Sequence, residues 1–138
     1  MECVCSIFAY VVLILGALAF CAFGVQWLDR PEAMARPLGI LLTNADATSD
    51  ARAVYGGMEL GFGLFLAYSA QAVHRRPQGL VAAALTLFGL GASRLTGIAV
   101  ASGAVSGSTY QLLATDLAGA LLCTVAFFVT RARGGESR

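Results

Sequence analysis

Three ionisable residues stand out in the sequence because each lies well inside a long apolar stretch: Glu59, Arg94 and Asp116. An ionised side chain costs at least about 2 kcal/mol in the middle of a membrane helix, so such residues pair with one another or face a polar cavity. All three lie roughly six or seven residues from the end of their stretch, which corresponds to about 10 Å of helix. The shared depth predicts that they form one polar site.

Two carboxylates facing one guanidinium favour acid–base chemistry. The set carries a net negative charge in a medium of low dielectric constant, and protonation of one carboxylate is the cheaper state. A neutral carboxylic acid beside a fixed ion pair is a poised Brønsted acid. We therefore predict that the catalytic residues are Glu59, Asp116 and Arg94, with Glu59 as the acid and Asp116 ionised on Arg94. The reverse assignment, with Asp116 as the acid and Glu59 ionised, stays open. A salt bridge that only stabilises the packing of the helices is a further alternative.

Aromatic side chains near these residues are candidates for substrate binding. Tyr55 precedes Glu59 by one helical turn, so the two are expected to share a face. The predicted substrate-binding residues are Tyr55, Phe62 and Tyr110, and Phe65 and Tyr68 are further candidates for the lining of an apolar pocket. Packing and lipid contact are the alternative roles for such aromatic residues.

Small residues recur at a spacing of four in two of the apolar stretches. Gly57 and Gly61 flank Glu59, and Gly89, Ser93 and Gly97 follow the same spacing. Such surfaces let membrane helices approach closely, and this is the role we predict for them. Room for a ligand beside the charged residues is the alternative.

The composition is that of an integral membrane protein. Of the 138 residues, 58% are hydrophobic and 12% charged, and the mean hydropathy is +0.76. A soluble domain carries about 25% charged residues. The deficit excludes a disordered chain, a nucleic-acid-binding protein and an ordinary cytosolic enzyme. The net charge of +1 indicates no particular partner, so the expected partners are the lipid bilayer and a hydrophobic small molecule. A homo-oligomer stays open.

Four apolar segments approach the ~20 residues that span a bilayer. Membrane β-strands would alternate polar and apolar residues, so the spans must be helices. We predict an all-α, single-domain bundle over residues 1–138, with a long outer loop at 26–51 and spans at 4–25, 52–73, 80–101 and 110–130. The first segment lacks the basic start of a signal peptide, so we expect it to be retained.

Arginine placement predicts the orientation of this four-helix bundle. With four spans, one side holds Arg75, Arg76, Arg131, Arg133 and Arg138. The other side holds Arg30, Arg36 and Arg52, offset by Asp29, Glu32, Asp46 and Asp50. Because positive charge accumulates on the cytoplasmic side, both termini are predicted to be cytoplasmic, in a multi-pass protein of the cell membrane.

The long outer loop contains signs of local structure. Trp27 is expected to act as an interfacial anchor. The apolar face of a short helix on the membrane surface is predicted to consist of Met34, Leu38, Leu41 and Leu42. Thr48, Ser49 or Asp50 is expected to cap the second span.

Cysteine and histidine indicate no metal site. Cys3, Cys5, Cys21 and Cys123 are expected to be small apolar residues in lipid or at helix contacts, with palmitoylation of Cys3 or Cys5 as the alternative. His74 lies in the basic inner loop, far from the charged residues. No P-loop, nucleotide fingerprint or magnesium motif is present, so we predict no cofactor and no metal.

Two resemblances follow from these motifs. The segment from Arg52 to Gly63, with Tyr55-Gly56-Gly57-Met58-Glu59 at its centre, and Ser93-Arg94-Leu95-Thr96-Gly97 resemble the pattern of small four-helix bacterial membrane proteins, most of them uncharacterised. Members tend to carry glutamate where this chain has Asp116. In size, helix count and intramembrane acids, the chain is also similar to the integral-membrane terpene cyclases of actinobacterial indole-terpenoid pathways. That resemblance implies cyclisation started by protonation of an alkene or epoxide.

These observations lead to two hypotheses on function. The first is a membrane enzyme, an isomerase or lyase-type cyclase of terpenoid biosynthesis that acts on a lipophilic isoprenoid by acid catalysis. The second is a non-catalytic protein that binds lipid or a small molecule, or acts as a carrier or assembly factor. A transporter is less favoured, because its polar residues would be expected to cross the midplane.

Overall fold

The computed structural model describes residues 2–134, with side chains from 5 to 131. Within that part of the chain every regular element is a helix, which confirms the all-α prediction. The side chains of Cys3 and Arg133, and the whole of Arg138, lie outside the described residues.

The described residues contain six α-helices, which are connected by short helical turns and loops. The α-helices are α1 (Glu2–Asp29), α2 (Pro31–Ala35), α3 (Ala45–Ala51), α4 (Met58–Ala70), α5 (Arg76–Val100) and α6 (Gly107–Gly134). Two 3-10 turns, Arg36–Leu38 and Val73–Arg75, and a π-helical segment, Arg52–Gly57, lie between them.

Three helical segments of the described chain are long and apolar enough to cross a membrane: Cys5–Asp29, Val73–Val100 and Gly107–Arg131. They overlap the predicted spans at 4–25, 80–101 and 110–130. The chain is therefore a helical protein with three candidate membrane spans. The predicted span at 52–73 is not among them. Its residues are divided between the π-helical segment, α4 and the turn that follows α4.

The chain nevertheless stays helical from Ala45 to Ala70. Ala51, Arg52 and Met58, at the junctions of α3, the π-helical segment and α4, all have right-handed helical backbone angles. A π-helical segment widens the turn because its hydrogen bonds reach one residue further than in an α-helix. The irregularity interrupts the α-helical pattern without breaking the helix.

The described residues form two compact units. The terminal unit comprises the chain up to Leu13 and from Ser69 onward, and the central unit comprises Ile14–Tyr68.

In the central unit, α1 packs closely against the segment from Gly56 to Leu66. A Cβ atom at Gly24 would lie 2.8 Å from the Gly56 carbonyl oxygen, and one at Gly63 would lie 2.9 Å from the Ala17 carbonyl oxygen.

The predicted contact through Gly57 and Gly61 was wrong. No described atom outside its own helix turn lies within 4 Å of a Cβ built at Gly61, and the nearest atom at Gly57 is the Arg52 carbonyl oxygen at 3.9 Å. The helix presents the face of Gly56 and Gly63, about two turns apart.

Residues 26–51 are mostly helical and fold over Trp27. Trp27 is 0% exposed, so its predicted role as an interfacial anchor was wrong. The buried cluster around it consists of Ala35 and Ala51, with Phe23, Met34, Ile40 and Leu42 packed against them.

The predicted surface helix with Met34, Leu38, Leu41 and Leu42 on one face was also wrong. Met34 and Leu42 pack on the Trp27 cluster, whereas Leu41 is 84% exposed. Proline cannot donate a backbone hydrogen bond, and a left-handed residue ends a helix. Pro37 and Gly39 (φ 70°) accordingly limit the helices of this stretch to short pieces.

The start of α3 also differs from the prediction. Asn44 is its N-cap, since the side-chain oxygen accepts from the Ala47 N–H at 2.8 Å. The predicted caps Thr48, Ser49 and Asp50 lie inside the helix.

In the terminal unit, α5 packs along α6 at two glycines. A Cβ at Gly91 would lie 2.9 Å from a Leu117 methyl carbon, and one at Gly119 would lie 2.9 Å from a Leu87 methyl carbon. At Gly89 and Gly97 no described atom lies within 4 Å. The predicted contact face of Gly89, Ser93 and Gly97 was therefore wrong.

Candidate functional site

The charged pair of the candidate site lies between α5 and α6 in the terminal unit. Arg94 Nε donates to Asp116 Oδ2 at 2.8 Å. The Asp116 side chain is 9% exposed and that of Arg94 is 30% exposed. The geometry is that of a charge-assisted hydrogen bond between a guanidinium and a buried carboxyl group.

The helix packing explains how these two side chains meet. Gly91 precedes Arg94 by one turn of α5, and the Asp116 Cβ lies 3.6 Å from the position of a Cβ at Gly91. The missing side chain at Gly91 lets α6 approach closely, which brings Asp116 within reach of Arg94. The two residues lie on consecutive helices joined by a short connection, so the pair is local to one helical hairpin.

An apolar groove runs between the same two helices. Its volume is about 320 Å³. It is lined by Ala84, Leu85, Phe88, Leu117, Ala120, Leu121 and Thr124. Thr124, the single polar lining residue, donates its hydroxyl proton to the Ala120 carbonyl of its own helix at 2.8 Å. The lining side chains therefore present an apolar surface to a ligand along the whole groove.

The charged pair lies at one end of this groove. Leu117, the first α6 residue of the lining, directly follows Asp116, and the lining continues to Thr124. These residues cover about 10 Å of helix at 1.5 Å per residue. An apolar groove with a charged pair at one end has the layout of a site for an amphiphilic molecule.

Glu59 lies in the central unit as the second residue of α4, where it is half-buried. Of the three predicted catalytic residues, the structure brings Arg94 and Asp116 together. That Glu59 shares a site with them stays a prediction.

The predicted substrate-binding aromatics are distributed over both units. In the central unit, Tyr55 stacks on Trp27 with ring centroids 4.6 Å apart, and Phe62 meets Phe20 edge-on at 4.8 Å. Tyr110 lies in the first turn of α6 in the terminal unit and is 51% exposed. Their grouping into one substrate site stays a prediction.

The two further aromatic candidates lie on α4. Phe65 stacks with Phe62 at 6.2 Å. Phe65 is 41% exposed and Tyr68 55% exposed.

The cysteines with described side chains lie at helix contacts or are buried. Cys5 and Cys123 are buried, and Cys21 lies against Gly63. Among the described residues, no three His, Cys, Asp or Glu side chains are grouped as metal ligands would be. His74 lies in the 3-10 turn before α5.

Two features of the structure were not predicted from the sequence. One is the groove, whose lining residues recur every three or four positions on α5 and α6 and resemble any lipid-facing helix. The other is the buried indole N–H of Trp27, which has no hydrogen-bond partner among the described residues. No sequence signal distinguishes a covered interfacial tryptophan from an exposed one.

Comparison with known proteins identifies the family. A family model described as a domain of unknown function, DUF4345, matches residues 8–127. The chain therefore belongs to the DUF4345 family. No curated protein and no solved structure matches it. The resemblance to terpene cyclases thus depends on the sequence features alone.

Proposed function

We propose that this member of the DUF4345 family is a multi-pass membrane enzyme that binds a lipophilic isoprenoid and starts its isomerisation or cyclisation by proton transfer from a buried carboxylic acid. The observation that carries the proposal is the Arg94–Asp116 pair at the end of an apolar groove. An intramembrane ion pair that adjoins a groove has the features of a ligand site, because such residues mark substrate pathways in membrane proteins.

The groove supports binding of the hydrocarbon part of the substrate. Its volume of about 320 Å³ falls at the lower end of the range for small-molecule sites. The hydrocarbon chain lies along Leu85, Phe88 and Leu121 in this proposal. The polar end of the molecule, an epoxide oxygen or a carbonyl, is directed to the charged pair.

The ion pair favours Glu59 over Asp116 as the proton donor. Asp116 already accepts the hydrogen bond from Arg94, and in the proposal it stays ionised on Arg94 while Glu59 is the acid. In the proposal, the Glu59 carboxyl transfers its proton to an alkene carbon or an epoxide oxygen, and the π bond or C–O bond breaks to leave a carbocation. Ring closure follows, and loss of a proton from carbon to a carboxylate completes an isomerisation without net change in atoms.

The proposal keeps the four-helix bundle of the sequence prediction, with residues 52–73 as the fourth span and both termini in the cytoplasm. The helical continuity from Ala45 to Ala70 supports this fourth span, since its apolar part from Ala53 to Ala70 is about 27 Å long, close to the thickness of the hydrocarbon core.

A non-catalytic lipid-binding protein is the second candidate, and one specific observation favours it. Arg94 and Asp116 neutralise each other within one helical hairpin, as expected for an ion pair that only stabilises the packing of two helices. Leu85, Phe88 and Leu121 are each more than 60% exposed, so the groove also suits a bilayer lipid.

The decisive experiment incubates membranes that contain the protein with linear and epoxidised isoprenoids and searches for products of unchanged mass. Wild type is expected to form cyclised product, and Glu59→Gln to form it at least ~100-fold more slowly, the usual scale of general acid catalysis. The matched control is Glu32→Gln, which neutralises an exposed carboxylate of α2 and should leave the rate unchanged.

Two results would contradict the enzyme proposal. Wild-type rates from Glu59→Gln and Asp116→Asn, each shown to be folded, would exclude proton donation by either carboxylate. Saturable isoprenoid binding without any product from wild type would instead establish the lipid-binding alternative.

A further inference from the structure

Trp27 combines complete burial with an unused hydrogen-bond donor. Its side chain is 0% exposed, and its indole N–H has no partner among the described residues. A buried donor without an acceptor loses its hydrogen bond to water and gains nothing in return. Such groups are rare in native proteins, and a partner from outside the chain is one of the explanations for them.

The surroundings of Trp27 define what such a partner must be. The packed neighbours are Phe23, Met34, Ile40 and Leu42, all apolar, and Tyr55 stacks on the indole at 4.6 Å with an angle of 27° between the rings. None of these cluster residues carries a charge, so an ionic ligand would be buried without compensation. A hydroxyl group would bring a donor that the apolar side chains of the cluster cannot satisfy. The chemistry that fits is an apolar molecule with an acceptor oxygen and no donor.

The segment Pro31–Leu42, which we call the cover, lies over Trp27. It follows Arg30, whose backbone (φ −133°, ψ 62°) leaves the helical region and separates α2 from α1. Within the cover, Ile40 N–H donates to the Ala35 carbonyl at 3.1 Å and Gly39 N–H to the Arg36 carbonyl at 3.0 Å. The cover is thus internally bonded, and its helical pieces are too short to be stable without packing on the cluster.

The other side of the cluster is also irregular. Tyr55 belongs to the π-helical segment Arg52–Gly57, and π-helical turns occur frequently at functional sites. Trp27 therefore lies between a short cover and a widened helical turn, both of which can adjust more readily than a regular helix.

We propose that Trp27 is the anchoring donor of a second binding site, which takes a neutral lipophilic molecule through a carbonyl oxygen that accepts the indole N–H. The molecule enters beneath the cover. Its carbonyl is either the ester group of a bilayer lipid or the ketone of a free isoprenoid-like compound. The site uses none of Glu59, Arg94 and Asp116, so it is independent of the proposed catalysis.

Trp27 is the sole tryptophan of the chain, and its fluorescence therefore reports on this site alone. Protein in a carbonyl-free alkyl maltoside is titrated with geranylacetone and, as a matched control, with the hydrocarbon of the same skeleton that lacks the oxygen. The ketone should shift the tryptophan emission saturably, and the hydrocarbon should not. Equal responses to both compounds would overturn the proposal.

Nanodiscs distinguish the two sources of the carbonyl. Ester-linked and ether-linked lipids of the same chain length are compared before and after addition of geranylacetone. A shifted emission in the ester lipid alone, before any ketone is added, assigns the site to a bilayer lipid. A shift that appears only with the ketone, in both lipids, assigns it to a free ligand. No shift under any of these conditions would contradict the site.

Removal of the donor tests the hydrogen bond itself. Incorporation of β-(3-benzothienyl)alanine at the sole tryptophan position keeps the size of the ring and replaces its N–H by sulfur. Trp27→Phe serves as a genetically encoded second variant. Binding of radiolabelled geranylacetone, measured with the α5–α6 groove saturated by the hydrocarbon control, should weaken about tenfold or more in both, which corresponds to about 1.4 kcal/mol. Thr96→Ala, at an exposed position of α5, should bind the ketone as wild type does.

Ketone affinity equal to wild type in the benzothienyl protein, shown to be folded, would mean that the indole N–H does not hold the ligand. Tryptophan emission reports on the Trp27 site, and product formation reports on the proposed catalysis. Failure of the one and failure of the other are therefore observed separately.

Discussion

The two partners of the Arg94–Asp116 pair differ in their access to solvent. The Asp116 side chain is 9% exposed and the Arg94 side chain 30% exposed. Loss of the guanidinium leaves a buried carboxylate without its counter-charge. Loss of the carboxylate leaves a guanidinium that still reaches the surface of its unit, and a long arginine side chain can move its charge toward a polar environment.

We expect Arg94→Ala to lower the free energy of unfolding by about 3 kcal/mol or more, the range for breaking a buried pair. Asp116→Asn should cost less. Both are measured by denaturant titration in mild detergent. Thr96→Ala is the matched control on the same helix, since Thr96 is exposed and its hydroxyl donates to the Ala92 carbonyl of its own turn. Equal stability of Arg94→Ala and wild type would show that the pair does not stabilise the fold.

Arg76 contacts the end of α4, the first turns of α1 and an aromatic ring. Its Nε donates to the Ala70 carbonyl at 3.0 Å and its Nη1 to the Ser6 carbonyl at 2.9 Å. Nη1 also contacts the Ser6 hydroxyl, and the guanidinium lies 5.4 Å from the centre of the Tyr10 ring. A lysine ammonium is a point charge that cannot reproduce this forked geometry.

Arg76→Lys is therefore expected to lower stability by about 1–2 kcal/mol, in proportion to the hydrogen bonds lost. Arg36→Lys provides the control at an exposed position. Thermal unfolding in detergent compares the two variants, and an equal small shift in both would mean that the Arg76 contacts contribute little.

At the scale of helices, two glycines of α4 allow a matched test of packing. A Cβ at Gly63 would lie 2.5 Å from Cys21 Sγ and 2.8 Å from the Cys21 backbone nitrogen. We expect Gly63→Ala to destabilise the protein by about 1–3 kcal/mol, because backbone atoms cannot move aside cheaply. Gly61→Ala should be neutral or stabilising, since alanine is the better helix former and the site is open. The reverse order of melting temperatures would show that α1 packs on the Gly61 face.

The same helices show which features a sequence can predict. Hydropathy is a sum over local residues, and it located the segments at 4–25, 80–101 and 110–130. The number of residues from the end of each apolar stretch placed Arg94 and Asp116 at the same depth in the membrane. This prediction succeeded because the depth depends only on the rise per residue of a helix. The π-helical segment was not predictable, since it coincides with the contact of Gly56 against Leu28, a partner distant in sequence. Burial of Trp27 likewise depends on how the cover folds back over it.

At the scale of the whole molecule, the number of spans decides the orientation of the C-terminus. Four spans place both termini on one side of the membrane, and three spans place them on opposite sides. Arginine placement predicts the first arrangement, with residues 26–51 outside. In a cysteine-free background, Thr48→Cys should be labelled by an impermeant maleimide from the outside, and His74→Cys only after permeabilisation.

A reporter fused after residue 138 supplies the independent control. Cytoplasmic activity of the reporter is expected. Periplasmic activity, together with labelling of Thr48→Cys from the outside, would mean that residues 52–73 do not cross the membrane. Labelling of Thr48→Cys only from the cytoplasmic side would reverse the predicted orientation.

The pairing of Arg94 with Asp116 inside one hairpin also constrains how the protein enters the bilayer. During synthesis α5 emerges first, and alone it would carry an uncompensated guanidinium into hydrocarbon at a cost of about 2.5–3.5 kcal/mol. Asp116 follows after a short connection and can neutralise that charge only when α6 arrives. We therefore expect the insertion machinery to release α5 and α6 together as a paired hairpin. The hydrogen bond of 2.8 Å between Arg94 and Asp116 therefore favours entry of α5 into the bilayer together with α6 over entry of α5 alone.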